Sequence, residues 1–186
     1  NTNTNGTLAV AAGSLATLTM GGADNDLAQL YGAVASLALV AGKKATFACR
    51  VRVDKASGTI GQEELFFGLT GVQTGTNFFA ADGLSRVFDD GVGFASYDAS
   101  ATIDCVCVKD DEVSTEDGAT TYADVTWMVL AFHYDGTKVT FYKDGLKIAE
   151  LSTNIPTDAV TPMLYIKAGE AQAKVLSIDY VRVCIE

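Results

Sequence analysis

The chain has 186 residues, of which 48% are hydrophobic and 19% are charged, a composition typical of a folded globular protein rather than a disordered one. The formal net charge of −10 argues against a nucleic-acid partner and against an anionic membrane surface, because both are bound by basic patches. No window approaches about 18 uninterrupted apolar residues, so the sequence predicts no transmembrane helix. We expect a single domain over residues 1–186, in which residues 1–6 are a polar lead-in without the character of a signal peptide.

The N-terminal region carries little charge. Residues 7–20 alternate loosely and predict one or two strands, and the Gly and Asx residues at 21–26 predict a turn. Residues 27–40 are rich in Ala and Leu, so a strand and a helix both remain open there. Because interface cores are depleted in charge, we expect this region to cover its apolar surface by self-association or by docking onto a larger shell. The expected interface residues are Leu8, Val10, Leu15, Leu18, Leu27, Leu30, Tyr31 and Leu37.

Four segments in the middle of the chain predict strands. Residues 45–53, ATFACRVRV, alternate cleanly, with Arg50 and Arg52 on one face and apolar side chains on the other. Residues 65–70 are almost continuously apolar, which is typical of a strand buried on both faces. Residues 92–97 and 103–108 predict two further strands, and the acidic residues at 110–118 predict a surface loop.

Residues 127–149, WMVLAFHYDGTKVTFYKDGLKIA, predict three strands joined by tight turns at Asp135-Gly136 and Asp144-Gly145. Asp-Gly between alternating apolar residues is a strong hairpin signal, because Gly tolerates the positive φ that such a turn needs. Residues 175–185 predict the last strand. With ten to twelve short strands separated by turn signals and no long amphipathic helix, the sequence predicts an all-β fold, an antiparallel β-sandwich or jelly roll.

The four cysteines, at positions 49, 105, 107 and 184, form no C-x-x-C pair, and His133 is the single histidine, so no zinc site is expected. Cys105 and Cys107 share one face of a strand, where neighbouring positions rarely form a disulfide with each other. Because free cysteine is among the most buried residue types, we expect four buried free thiols. The acidic turns could offer oxygen ligands to calcium, but none has the order of a recognised calcium loop, and no cofactor is predicted.

These segments together resemble the concanavalin A-like jelly roll, which lectins, laminin G-like modules and family-16 glucanases share. The resemblance rests on residues 47–53, on the aromatic hairpins of residues 127–145 and on the closing strand IDYVRV at residues 178–183. It implies a fold far more strongly than a function, because many activities occur on this architecture. Since the early and the last strand are often neighbours in this fold, the resemblance also leaves a Cys49–Cys184 disulfide open.

Family-16 glucanases carry the pattern E-x-D-x-x-E, and retaining enzymes need two carboxylates about 5–5.5 Å apart. No segment matches this pattern, and Glu63 and Glu64 are adjacent, so they point to opposite faces of a strand. No G-x-S-x-G nucleophile elbow occurs, and the alternation places His133 on the face opposite the core. We therefore predict a protein that is not an enzyme, with no catalytic residue and no metal-binding residue.

More narrowly, the chain resembles jelly-roll proteins that decorate the capsids of tailed bacteriophages. The shared features are its one-domain length, the strand that begins with Val92-Gly93-Phe94, the loop of residues 153–162 and the terminal strand with Asp179-Tyr180. That resemblance implies a structural virion protein, a decoration or cement protein on the capsid surface. Its partner would be the major capsid protein or another virion protein, and the chain would form a homo-oligomer. The alternative is a carbohydrate-binding module of a fibre or secreted enzyme, with Trp127, Tyr142 and Tyr97 stacking on sugar rings.

Overall fold

The computed structural model describes residues 7–10, 15–56, 58–71, 79 and 88–186, and the predicted lead-in at residues 1–6 lies outside them. In these ranges thirteen strands form two sheets, and every pairing between strands is antiparallel. The seven-stranded sheet has the spatial order β1 (Thr7–Val10), β2 (Ala16–Thr19), β13 (Val175–Ile185), β4 (Ala45–Asp54), β9 (Met128–Tyr134), β10 (Val139–Lys143) and β11 (Leu146–Leu151). The six-stranded sheet has the order β3 (Leu27–Tyr31), β12 (Thr161–Ala168), β5 (Glu63–Thr70), β6 (Gly91–Ser96), β7 (Thr102–Lys109) and β8 (Glu112–Thr121). The predicted antiparallel sandwich is confirmed.

Strand β4 shows how the alternating sequence builds the seven-stranded sheet. Its apolar side chains face the other sheet and are almost completely buried, whereas Arg50 and Arg52 face outward. Its neighbours β9 and β10 alternate in the same way. Because successive side chains of a strand point to opposite faces, one sequence pattern supplies the core and leaves the second face in contact with solvent.

The two predicted turns join β9, β10 and β11. At the first turn, Asp135 Oδ1 accepts hydrogen bonds from the backbone N–H groups of Thr137, at 2.9 Å, and Lys138, at 3.0 Å. A hydrogen bond from the Thr137 hydroxyl, together with these two backbone bonds, lowers the pKa of Asp135 to about 2. Gly136 adopts a φ of 100° and Gly145 a φ of 82°, the conformation that favours glycine. The three-stranded reading of residues 127–149 is confirmed.

The region that the sequence left open between strand and helix contains the short edge strand β3. It pairs with β12 along its whole length, from Leu27 opposite Lys167 to Tyr31 opposite Met163. Beyond it the backbone is irregular up to an isolated bridge between Leu37 and Val160. Sheet pairing here overrides the helical preference of Ala and Leu.

No helix in the described ranges is long and apolar enough to span a bilayer.

The two sheets differ in what covers their outer faces. A second apolar cluster lies on the outer face of the six-stranded sheet, where Phe66 of β5 and Tyr165 of β12 pack with Phe79 and Phe88. Strand β5 is therefore buried on both faces, as the continuous apolar run predicted. The outer face of the seven-stranded sheet instead carries half-buried and exposed residues, so it is the open face of the sandwich.

The structure shows which of the four cysteines are buried and whether Cys49 and Cys184 form a disulfide. Cys49, Cys105 and Cys107 are buried, and burial raises the pKa of each thiol, but Cys184 is exposed, so the expectation of four buried thiols is wrong. Strands β4 and β13 are neighbours, as the resemblance implied. However, Cys184 stands opposite Thr46 on the outer face, whereas Cys49 faces the core, so no disulfide joins them and all four thiols are free.

Candidate functional site

The open face of the seven-stranded sheet brings together side chains from four neighbouring strands, and we call it the arginine face. Its residues occupy alternate positions whose neighbours in sequence point into the core. They come from β13, β4, β9 and β10, in that spatial order. Its members include Tyr180 and Arg182 of β13, Thr46, Ala48, Arg50 and Arg52 of β4, Trp127 directly before β9, Ala131 and His133 of β9, and Thr140 and Tyr142 of β10.

A floor of small side chains crosses the middle of the arginine face. The register sets Arg182 opposite Ala48, Ala48 opposite Ala131, and Ala131 opposite Tyr142. Because neighbouring strands lie about 4.8 Å apart, Arg182 and Tyr142 bound a floor about 14 Å wide. Alanine side chains project little above the sheet. This part of the face therefore forms a shallow channel with an arginine on one side and a tyrosine on the other.

Trp127 closes one end of the channel, directly before β9. The guanidinium carbons of Arg50 and Arg52 lie 4.7 Å and 5.1 Å from its ring centroid. Such cation–π contacts fix the orientation of a guanidinium group over the ring. Arg50 also donates to Asp179 Oδ2 at 2.7 Å, whereas Arg52 makes a long 3.4 Å hydrogen bond to Ser177 Oγ. Trp127 thus orients two arginines, and at least part of its ring is already covered.

A small recess adjoins the same end of the face. It has a volume of about 130 Å³, and Trp127, Tyr122, Lys143 and Asp144 contribute to its lining. Lys143 Nζ donates to the carbonyl of Thr121 at 2.6 Å, which holds the lysine across the recess. Ligand pockets in proteins usually measure about 300–1,000 Å³, so the recess by itself could take only part of a ligand.

At the other end of the channel, Thr46 of β4, His133 of β9 and Thr140 of β10 stand opposite one another in a single row. His133 is half-buried and lies on the face opposite the core, as the alternation predicted. All three side chains carry hydrogen-bonding groups. The face therefore offers polar atoms at both ends of its alanine floor.

The three residues predicted to stack on sugars do not lie together. Trp127 and Tyr142 belong to the arginine face, but Tyr97 follows β6 in the other sheet, where its ring packs edge-on against Phe79 at 5.3 Å. Sequence reasoning assigned no function to Arg50, Arg52 and Arg182. The signal was present in the alternation of β4, which places two arginines on the solvent side, but nothing local connects them to Trp127.

The residues predicted to form an interface also separate into groups. Leu18 and Leu27 are buried in the protein, so they offer no surface to a partner, and that part of the prediction is wrong. Leu15 and Leu37 are half-buried. Leu8 and Val10 are exposed, at 39% and 72%, on the edge strand β1. Leu30 and Tyr31 line an apolar groove of about 330 Å³, together with Pro162, Leu164, Val181 and Val183.

The adjacent carboxylates Glu63 and Glu64 point to opposite sides of β5, as predicted, but both are completely buried. Glu63 accepts a 2.8 Å hydrogen bond from the Tyr122 hydroxyl and lies 3.3 Å from Lys174 Nζ. Glu64 is paired with Lys167 at 2.9 Å. Burial, and next the charge of Glu63, raise the pKa of the Tyr122 hydroxyl. Both carboxylates are therefore enclosed beside cations rather than presented to solvent.

The acidic turns show no arrangement of metal ligands. Asp90 lies near Asp89, Asp110 and Asp158, and burial together with these carboxylates raises its pKa. Across the part of the chain that the structure describes, no three or more His, Cys, Asp or Glu side chains are placed to hold a metal ion.

Comparison with known proteins finds similarity in structure alone. A scan of the sequence against protein families finds no match, and a search of curated proteins finds none either. Among solved structures, an endo-β-1,4-glucuronan lyase from the fungus Trichoderma reesei is similar, with a TM-score of 0.64 and 11% identity over 98% of this chain and 88% of that one. The carbohydrate recognition domain of Emp46p, in its potassium-bound form, has a TM-score of 0.65 and 11% identity over 96% of this chain and 86% of that one. A family-16 endo-glucanase from Bacteroides ovatus has a TM-score of 0.61 and 12% identity over 97% and 85%.

These neighbours correct two expectations drawn from the sequence. They include a lyase and an endo-glucanase, and these neighbours contradict the prediction, drawn from the missing catalytic patterns, that the chain is not an enzyme. None of the three is a phage protein, and the narrower resemblance to capsid decoration proteins is not shown. Identities of 11–12% establish architecture alone. The protein has the concanavalin A-like jelly-roll fold, which in these neighbours carries carbohydrate recognition, a lyase and a glucanase.

Proposed function

We propose that the protein binds carbohydrate on the arginine face. The observation that carries the proposal is the alanine floor between Tyr142 and Arg182, an open channel lined by aromatic and hydrogen-bonding side chains. Structural neighbours that include a carbohydrate recognition domain and glycan-degrading enzymes support the same class of ligand.

The chemistry of the channel suits a sugar chain. A pyranose ring presents C–H groups on its faces and hydroxyl groups around its edge, so it needs a flat aromatic surface and nearby donors and acceptors. Tyr142 supplies the aromatic surface, and the row of Thr46, His133 and Thr140 supplies polar atoms at one end. Because Ala48 and Ala131 leave the floor low, a chain can lie along the strands between Arg182 and Tyr142.

The test is binding to a glycan array, followed by calorimetry with the best oligosaccharide. Tyr142→Ala removes the half-buried aromatic wall, and we expect affinity to fall about threefold to tenfold, the range for a lost aromatic contact. Trp127→Ala releases Arg50 and Arg52 and should weaken binding as well. Tyr31→Ala is the matched control, because Tyr31 is a half-buried tyrosine of the other sheet.

Absence of any array signal would contradict the proposal, and so would a loss in Tyr31→Ala equal to that in Tyr142→Ala. The same oligosaccharide, incubated with the protein and analysed for new reducing ends or unsaturated products, will tell whether binding is accompanied by cleavage.

A second candidate, assembly, has its own observation. Leu8 and Val10 are exposed on β1, an edge strand whose outer backbone groups have no neighbouring strand in the described sheet. We propose that this edge contacts another copy of the chain, and the finer form of the proposal is decoration of a virus capsid. Light scattering, with and without isolated phage shells, measures both interactions.

For this candidate, Val10→Lys should abolish association. Leu146→Lys is the control, because Leu146 is equally exposed, at 73%, on β11 at the opposite edge of the same sheet. A monomer that does not bind shells would contradict assembly through β1. Equal effects of Val10→Lys and Leu146→Lys on association would contradict it as well.

A further inference from the structure

We infer that the carbohydrate bound on the arginine face is an acidic one, whose carboxylate groups are held by Arg52 and Arg182. This inference rests on the proposed function and names its ligand class. It is supported by the distribution of arginine in the chain, by the lack of acidic partners for two of the guanidinium groups, and by the spacing of these two arginines along the sheet.

The arginines of the chain are concentrated on one face of the sandwich. The chain carries 23 acidic and 13 basic residues, yet three of its four arginines, Arg50, Arg52 and Arg182, lie on this one sheet face. A positive surface on a protein of net charge −10 is locally complementary to an anion. The overall charge would at the same time repel a long polyanion such as a nucleic acid, so a ligand that meets only this face is favoured.

The three arginines of this face differ in their ion pairs. Arg50 already pairs with Asp179 at 2.7 Å. Arg52 and Arg182, in contrast, form no ion pair with any carboxylate among the described residues, although acidic residues outnumber basic ones. Arg52 has the ring of Trp127 and a 3.4 Å bond to Ser177, and Arg182 lies 5.0 Å from the ring of Tyr180. Both guanidinium groups are thus oriented by aromatic rings, and no carboxylate of the described residues neutralises their charge, although Arg52 Nε itself is buried.

The residue type matters here. Arginine presents a planar fork of donors that matches the two oxygens of a carboxylate, whereas lysine acts as a point charge. A guanidinium held over an aromatic ring loses less conformational freedom when a ligand binds, because its plane is already oriented. A uronic acid offers the planar carboxylate that this geometry fits.

The spacing of Arg52 and Arg182 on the sheet indicates the length of the ligand. Arg52 stands four residues along β4 from Ala48, the partner of Arg182 in the register. At about 3.3 Å per residue this is about 13 Å along the strand, with about 5 Å between the strands. The backbone positions of the two arginines therefore suit carboxylates on different sugars of one chain, so the ligand is an oligouronate rather than a single uronic acid.

Calorimetry with the wild-type protein compares a short oligouronate with the same oligosaccharide after its carboxyl groups are reduced to hydroxymethyl groups. We expect the acidic form to bind about tenfold or more tightly, the gain for a charge-assisted hydrogen bond, and its affinity to fall as salt is raised. A sulfated neutral oligosaccharide serves as a third ligand. Binding of that ligand as tight as that of the oligouronate would overturn the assignment to carboxylate.

Substitutions locate the effect on the two arginines. Arg52→Gln and Arg182→Gln should each weaken binding of the oligouronate much more than binding of its reduced form, and Arg52→Lys should restore only part of the loss. Lys109→Gln, which makes the same charge change on β7 of the other sheet, is the control. If Lys109→Gln lowers the affinity for the oligouronate as much as Arg52→Gln does, the effect is one of overall charge and the inference is wrong.

The two proposals fail in different ways. Equal binding of the acidic and reduced forms, with the arginine variants unchanged, would overturn the acidic ligand but leave carbohydrate binding standing. Absence of binding to either form and to every array glycan would overturn both. Binding of an acidic peptide or RNA that exceeds that of the oligouronate would also overturn the inference.

Discussion

Lys174 is enclosed within the protein, and no part of its side chain is exposed. Its ammonium group donates to Glu170 Oε1 and to the carbonyl of Thr59, each at 2.6 Å, and it lies 3.3 Å from Glu63 Oε2. An ammonium ion that leaves water loses its hydration, and these three oxygens offset that cost. Bonds to Lys174 and to the backbone N–H of Thr59 lower the pKa of Glu170. The cluster joins the loop after β12 to the loop between β4 and β5.

Substitution of Lys174 tests the importance of this cluster. Lys174→Met leaves the Glu63 carboxylate buried without its cation, so we expect the free energy of unfolding to fall by about 3–5 kcal/mol, as measured by urea denaturation. Lys147→Met, at a half-exposed surface pair with Glu150, is the control and should cost less than about 1 kcal/mol. Similar losses in the free energy of unfolding would show that the buried cluster stabilises the protein no more than the surface pair does.

At the scale of elements, the two Asp-Gly turns look alike in sequence but differ in their surroundings. Gly136 and Gly145 both have positive φ. A Cβ atom on Gly145 would meet nothing within 4 Å, whereas one on Gly136 would lie 2.8 Å from the backbone of Gly42. The Gly42 N–H also donates to the Gly136 carbonyl at 3.1 Å. The first turn is therefore packed against another part of the backbone, and the second is free.

Alanine at each turn separates conformational strain from packing. Gly145→Ala should lower the free energy of unfolding by about 1–2 kcal/mol, the cost of a left-handed conformation for a residue with a Cβ atom. Gly136→Ala should cost more than that, because the added methyl group also collides with the backbone of Gly42. Thermal denaturation of both variants measures the difference. Equal losses would mean that the segment around Gly42 moves aside without cost.

At the scale of the whole molecule, the excess of acidic residues destabilises the folded state through repulsion. With a net charge of −10 at pH 7, screening by salt should raise the melting temperature of the free protein. Near the isoelectric point of about 4.4 the net charge vanishes, so there the dependence on salt should largely disappear. Calorimetric scans over a range of sodium chloride at both pH values check this. A melting temperature at pH 7 that falls with salt would indicate that attractive ion pairs outweigh repulsion.

Features with a local cause could be predicted from the sequence. Alternation in residues 45–53 and the Asp-Gly turns depend on neighbours within a few positions, and both are found in the structure. The apolar run at residues 65–70 was correctly assigned to a strand buried on both faces, because no polar side chain interrupts it.

Features created by pairing across long distances could not be predicted. Arg52 meets Trp127 only because β4 and β9 become neighbours in the sheet, and Glu63 meets Lys174 only because loops at one end of the sandwich converge. Cys184 lies outside because the register of β13 turns it away from Cys49. The candidate site was therefore only partly predictable, with two of its aromatic residues named and its arginines overlooked.

The position of β13 also has a consequence for biosynthesis. It lies between β2 and β4, so one edge of β4 stays unsatisfied until residues 175–185 have left the ribosome. Such late, long-range pairing is typical of slow folding, and an open edge invites pairing with other nascent chains. Arg50 and Arg52 project from the outer face of β4, and charged side chains on an edge strand discourage strand addition. The two arginines would thus protect the unfinished sheet during translation, before they can serve any ligand.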